Sequence, residues 1–173
     1  MIKKITLVAL MVVFAFGVNA QIKLTVGGGL AIPLGDFGDA TKTGFGGNVG
    51  VKYMLNENMA VGANLGYIMM GEKYSGFKAS LLPITGSYTY YFKSEGVRTY
   101  LGFDAGYYSM TVRITSYPSD SKSALGFAPT AGFEYGLNDR LALDVNAKYN
   151  YIMYKGDATS YVGINVGLIY SLK

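Results

Sequence analysis

Residues 141–154 read LALDVNAKYNYIMY, and apolar and polar side chains alternate along most of this stretch. Leu141 and Leu143 begin the series at odd positions, whereas Asp144 and Lys148 belong to the even series. Successive side chains of a β-strand point to opposite faces, so this order gives one apolar face and one mostly polar face. A helix turns once in about 3.6 residues and would mix the two series. The stretch is therefore predicted to be a β-strand.

The same two-residue period runs through most of the chain after residue 20. It predicts an all-β fold with eight strands, at residues 21–32, 45–55, 59–70, 79–92, 97–112, 124–137, 141–154 and 160–172. Pro83 and Pro129 fall inside two of these strands, where each removes a backbone donor from the ladder. We expect the two prolines to mark bulges or the ends of strand pairing.

The connections between the predicted strands alternate in length. The short, polar ones are residues 56–58, 93–96 and 138–140, and the longer ones are residues 33–44, 71–78, 113–123 and 155–159. Transmembrane barrels of bacterial outer membranes have short periplasmic turns and longer external loops. The alternation therefore predicts an eight-stranded antiparallel up-and-down transmembrane β-barrel with both termini on the periplasmic side.

The first twenty residues differ from the rest of the chain. Lys3 and Lys4 precede an almost unbroken apolar run from Ile5 to Val18, which is shorter than the roughly 20 residues that a membrane-spanning helix needs. A positive start, a short apolar run and a small residue at position 20 are typical of a secretory signal peptide. We therefore expect residues 1–20 to be a signal peptide and residues 21–173 to be the barrel domain. A buried core helix is the alternative for residues 1–20.

Which face of the strands points outward decides between a membrane barrel and a soluble, lipocalin-like barrel. The mostly polar face carries many glycines, at positions 27, 29, 62, 66, 102, 106, 126, 132, 163 and 167. An eight-stranded barrel is only wide enough for side chains to fill it, so small residues suit its interior. The apolar face carries aromatics near the strand ends, where amphipathic rings match lipid headgroups. We therefore expect the apolar face to contact lipid.

Charged residues of both signs share the face that is expected to point inward. They are Lys52, Arg98, Asp104, Glu134, Asp144 and Lys148. Buried charges are tolerated when they are paired and hydrogen-bonded. We expect these residues to form a polar network that closes the lumen, and an ion or proton path is the alternative.

The end of the chain carries the most specific motif. Residues 165–172 read NVGLIYSL, which places Asn165, Gly167, Tyr170 and Leu172 in the order found at the ends of outer-membrane barrels. In this pattern the chain resembles the small OmpX/OmpA-type outer-membrane β-barrel family, and in particular the Bacteroidetes-style outer membrane protein β-barrel domain. Many family members stop on an aromatic residue, whereas this chain continues to Lys173. The resemblance implies that these four residues form an assembly signal for the barrel-assembly machinery.

Several kinds of chemistry have no candidate residues in this sequence. Histidine and cysteine are both absent, so the usual catalytic base near neutral pH and the usual zinc ligands are missing. The absence of cysteine also excludes a lipid anchor at the predicted cleavage site. We expect no enzyme activity and no cofactor. The formal net charge of +4 includes Lys3 and Lys4, and the basic residues form no patch, so no nucleic-acid partner is expected.

These features predict a monomeric, integral protein of the bacterial outer membrane with a closed polar lumen. Its expected role is structural or one of surface interaction. Lipid is expected to surround the barrel, and the sequence does not specify which partner the external loops bind. A narrow channel or carrier for small or apolar molecules is one alternative. An accessory subunit of an envelope secretion machine is another.

Overall fold

The computed structural model describes residues 21–72, 77–92, 96–114, 120–154 and 158–172, and within them eight antiparallel strands form a closed barrel in sequence order. The strands are β1 (Ile22–Leu34), β2 (Thr41–Met54), β3 (Met59–Glu72), β4 (Phe77–Tyr91), β5 (Val97–Ile114), β6 (Asp120–Gly136), β7 (Leu141–Met153) and β8 (Ala158–Leu172). β1 pairs with both β2 and β8, so the first strand closes the barrel against the last. The predicted fold class is confirmed.

Most strands extend further towards the long connections than the sequence pattern predicts. β2 begins at Thr41 instead of residue 45, and β6 begins at Asp120 instead of residue 124. In the added part of β6 the polar residues 120–123 continue the ladder with β5, as in the pair of Thr111 with Ser121. The alternation of apolar and polar residues fades there although backbone pairing continues. In β6, periodicity therefore marks the apolar part of the strand and misses its polar end.

A short helix, α1 (Asp36–Ala40), interrupts the segment that was predicted to be a loop at residues 33–44. Gly35, which precedes it, has a φ of 57°, a conformation that favours glycine. The Thr41 hydroxyl donates a hydrogen bond of 2.8 Å to the Phe37 carbonyl and ties the helix to β2. None of the helices in the described residues has the length and apolar character to cross a membrane.

The two prolines interrupt ladders without causing bulges. Pro83 keeps Tyr108 as its register partner, and Pro129 keeps Phe103. On the opposite side of each proline the ladder skips two residue pairs and resumes in the same register. An antiparallel strand residue directs both backbone polar groups to one neighbour, so a missing donor weakens only one ladder. Of the two alternatives predicted for these prolines, bulges are wrong, since the register shift in the described ladders lies between Lys42 and Phe45. Pairing is instead interrupted locally, on one side of each proline.

Two of the short turns are built on an asparagine side chain. Asn56 Oδ1 accepts a hydrogen bond of 2.9 Å from the Asn58 backbone, and Asn138 Oδ1 accepts one of 2.9 Å from the Arg140 backbone. Such side-chain contacts favour tight turns. Two predicted segments lie outside the described residues. They are most of the third short turn, at residues 93–95, and the predicted signal peptide, at residues 1–20.

The barrel wall has an apolar exterior and an interior rich in glycine and polar groups. Large apolar side chains such as Phe45, Val26 and Tyr107 are exposed on the outside, where Tyr107 is 63% exposed. Charged side chains such as Lys52 and Glu134 are buried inside. This is the arrangement of a barrel whose outer surface meets lipid, and it is the reverse of a lipocalin-like barrel.

Candidate functional site

A buried carboxylate organises the lumen near the short turns. Glu134 is 2% exposed, and its Oε2 accepts a hydrogen bond of 3.1 Å from Lys23 Nζ. Its Oε1 accepts bonds of 3.2 Å from Lys52 Nζ and 2.5 Å from Tyr91 Oη. Arg98 Nη1 lies 4.0 Å from Oε2. We call these five residues the charged layer.

The strand register explains why the charged layer needs Glu134. Lys23 on β1 lies directly opposite Lys52 on β2, and like charges in this position repel. Glu134 reaches from β6 across the lumen and bonds to both ammonium groups. Arg98, its register partner on β5, stacks over the Tyr91 ring at 4.1 Å from the ring centroid. The carboxylate thus relieves repulsion that the register itself creates.

A second carboxylate joins this layer through a tyrosine. Tyr100 Oη donates a hydrogen bond of 2.8 Å to Asp144 Oδ1, and Asn146 Nδ2 donates one of 2.6 Å to Asp144 Oδ2. Lys52 Nζ lies 5.0 Å from the centroid of the Tyr100 ring, within the range of a cation–π contact. A Cβ at Gly132 would lie only 2.8 Å from Tyr100 Cζ, so glycine is needed there.

The two remaining predicted lumen residues lie closer to the long connections. Lys148 Nζ donates a hydrogen bond of 2.5 Å to Asp104 Oδ2, and both side chains are largely buried. The six predicted lumen residues therefore occupy two places. The charged layer contains Lys52, Arg98 and Glu134. Asp144 lies beside this layer and is connected to it through Tyr100. Asp104 and Lys148 form a separate ion pair.

Three members of this arrangement were not among the predicted site residues. Lys23 lies in phase with Gly27 and Gly29 on the polar face, so the two-residue period could have identified it. Tyr91 and Tyr100 also lie on the inward face, whereas the aromatics that the sequence analysis used lie near the strand ends of the outward face. Their hydroxyl groups, which bond to carboxylates, are the reason that they are tolerated inside.

The lumen is apolar near the long connections, which departs from the polar lining that the sequence predicted. We call the buried cluster there the apolar layer, and its members are Ala31, Met70, Ala79, Leu81, Tyr108, Ala124, Ile152 and Tyr161. Leu81 and Ile152 are fully buried, and Phe37 of α1 packs against the cluster. Ile152 breaks the alternation of β7 because the strand passes from the polar to the apolar part of the lumen. A Cβ at Gly126 would lie 2.8 Å from the Tyr108 ring, so this glycine makes room for it.

Two small cavities lie between the layers, both lined by described residues. Their volumes are about 70 Å³ and about 40 Å³. The smaller is lined by polar groups that include Asn64, Thr130 and Asp144. Each volume suits a few water molecules and is far below the roughly 300 Å³ of a small ligand pocket. No group of three or more His, Cys, Asp or Glu residues in the described part of the chain could hold a metal ion.

The four residues of the expected assembly signal lie on β8, the strand that closes the barrel. Asn165 and Gly167 are half-buried and pair with Gly29 and Gly27 of β1. Tyr170 and Leu172 are exposed on the outer surface. Their recognition by the assembly machinery stays a prediction.

Comparisons with known proteins agree with this architecture. The family model described as an outer membrane protein beta-barrel domain matches residues 5–171. No curated protein sequence matches the chain. The chain is similar to the crystal structure of Neisserial surface protein A, with a TM-score of 0.68 and 16% identity over 87% of this chain and 96% of that chain.

Two further solved structures share the fold. The attachment invasion locus protein Ail of Yersinia pestis, in complex with the heparin analogue sucrose octasulfate, has a TM-score of 0.65 and 18% identity over 90% of this chain and 100% of that chain. The outer membrane protein OprG from Pseudomonas aeruginosa has a TM-score of 0.58 and 16% identity over 87% of this chain and 95% of that chain. The match of the family model to nearly the whole chain shows that this protein belongs to the outer membrane protein beta-barrel domain family.

Proposed function

We propose that the protein is a closed barrel that serves the outer membrane by stabilising it or by presenting its long loops to surface partners. The long connections face the exterior, and both termini face the periplasm, as in other barrels of this class. The observation that carries this proposal is the filling of the lumen by the charged layer and the apolar layer.

The two layers oppose ion passage in different ways. In the charged layer the side chains of Lys23, Lys52 and Glu134 are all at least nine-tenths buried, and both lysines donate hydrogen bonds to Glu134. An ion could pass only by breaking these contacts. In the apolar layer Leu81 and Ile152 are fully buried, and an apolar constriction excludes water and ions.

The likeness of fold supports a surface role. Neisserial surface protein A is described by its name as a surface protein, and Ail as an attachment invasion locus protein. The structure of Ail contains a heparin analogue, so a barrel of this shape can hold a ligand. Of the functions considered for this chain, a non-catalytic role at the cell surface is therefore the best supported.

Single-channel recording in planar lipid bilayers tests the proposal. The folded protein, inserted into the bilayer, is expected to give no steady conductance. A porin added afterwards to the same bilayer serves as the control that channels can be detected. Steady open channels in the absence of the porin would contradict the closed lumen and would favour a narrow channel or carrier.

A further inference from the structure

Gln21, the first residue of the expected mature chain, lies at the open end of the lumen near the short turns. Its backbone carbonyl accepts a hydrogen bond of 3.1 Å from the Met54 backbone N–H and continues the pairing of β1 with β2 by one residue. Met54 is buried on the inward face. Gln21 lies opposite Met54, in phase with the inward residue Lys23, and is itself exposed.

The two nitrogen groups of Gln21 are not used by the fold. Within the residues that the structure describes, neither its backbone nitrogen nor its side-chain amide forms a hydrogen bond. The contact of its carbonyl with Met54 holds the residue at the end of β1. A reaction between the two nitrogen groups would therefore cost no hydrogen bond of the barrel wall.

An N-terminal glutamine contains both reactants of a lactam. Removal of residues 1–20 would free the α-amine of Gln21. The α-nitrogen can attack Cδ of the side-chain amide, so that a new C–N bond forms and the Cδ–Nε2 bond breaks. The proton that the attacking nitrogen loses leaves with Nε2 as ammonia. Because both groups belong to one residue, the reaction is intramolecular and needs no co-reactant.

The charge near Gln21 favours the lactam over a free ammonium group. The charged layer combines three cations with the single carboxylate of Glu134. Lys23, one of these cations, is only two residues from Gln21 and belongs to the same face. An ammonium group at Gln21 would add like charge beside a buried cation, which is unfavourable. The product of cyclisation, pyroglutamate, carries no charge at this position.

The position of Lys23 also makes the barrel sensitive to trimming of the chain. Aminopeptidases remove residues one by one from a free α-amine. Loss of Gln21, Ile22 and Lys23 would remove the first pairs of β1 with both of its neighbours. It would also remove one of the donors to Glu134. A pyroglutamate has no primary amine and blocks this degradation at its first step.

We propose that Gln21 is a modification site, which is cyclised to pyroglutamate after export and protects the strand that closes the barrel. The inference rests on the expected cleavage before Gln21. It does not depend on whether the lumen conducts ions, so its test and the bilayer recordings are independent.

The mass of the intact mature protein, isolated from the membranes of its native cells, tests the modification. It should equal the mass of residues 21–173 less one molecule of ammonia. An amine-reactive reagent should label lysine side chains but no α-amine. Tandem mass spectrometry of the first peptide then identifies the lactam. A mature chain that begins with an uncyclised Gln21, or that begins at another residue, would overturn the proposal.

Gln21→Asn is the matched variant for the protective role. Asparagine keeps the uncharged amide but is one methylene shorter, so the same attack would have to close a strained four-membered ring. We expect this variant to retain a free α-amine and to lose N-terminal residues when the folded protein is incubated with a broad-specificity aminopeptidase. The unaltered protein should stay intact until pyroglutamyl peptidase removes the lactam. Equal trimming of the two folded proteins, or equal resistance, would overturn the protective role.

Discussion

The Glu134 carboxylate compensates the positive charge of two lysines, which could not be buried without it. Its carboxylate bonds to Lys23 and Lys52, whose register places them opposite each other. The two-residue period could predict that Glu134 and Lys52 share the interior. It could not predict which charges meet, because contact across a lumen depends on the closure of the barrel and not on sequence spacing.

Replacing Glu134 with Gln should destabilise the folded barrel by about 3–5 kcal/mol, since it leaves buried cations without their partner. Urea unfolding in lipid vesicles, followed by the difference in gel mobility between folded and unfolded protein, measures the effect. Asp139→Asn, in an exposed short turn, is the matched control and should leave the unfolding midpoint unchanged. An unchanged midpoint for Glu134→Gln would show that the charged layer does not stabilise the fold.

Gly132 tests the packing of the same layer. An added Cβ would lie 2.8 Å from Tyr100 Cζ and 2.6 Å from the backbone oxygen of Val145, and a backbone atom cannot move aside cheaply. Gly132→Ala should therefore destabilise the barrel by about 1–3 kcal/mol. At Gly86, on the outer surface, an added Cβ has no neighbour nearer than 3.9 Å. Gly86→Ala should be tolerated, and equal effects of the two changes on urea unfolding would contradict this account.

At the level of elements, the sequence predicts every described strand but not where each one ends. Alternation depends on lipid contacting one face, so it fails at the start of β6, where residues 120–123 are polar although they pair with β5. The helix α1 has only five residues, too few for a helical period to be recognised. The effect of Pro83 on strand pairing also could not be predicted from the sequence. It depends on which neighbour the missing donor would have faced.

At the scale of the whole molecule, the absence of cysteine makes the proposed orientation easy to test. Asp39→Cys lies on α1 near the long connections, and Asp139→Cys lies in a short turn at the opposite end. A thiol reagent that cannot cross the outer membrane should label Asp39→Cys in intact cells. Asp139→Cys should be labelled only after the membrane is broken. The reverse pattern would contradict the proposed orientation of the barrel.

The contact of the outer surface with lipid is the claim on which the proposed orientation and the proposed function both depend. The chain contains no tryptophan, so Val166→Trp, on the exposed face of β8, gives a single fluorescent reporter beside Gly28 of β1. In vesicles of brominated phospholipid its fluorescence should be strongly quenched, whereas acrylamide in the water should have little effect. Strong quenching by acrylamide without quenching by the brominated lipid would contradict the account.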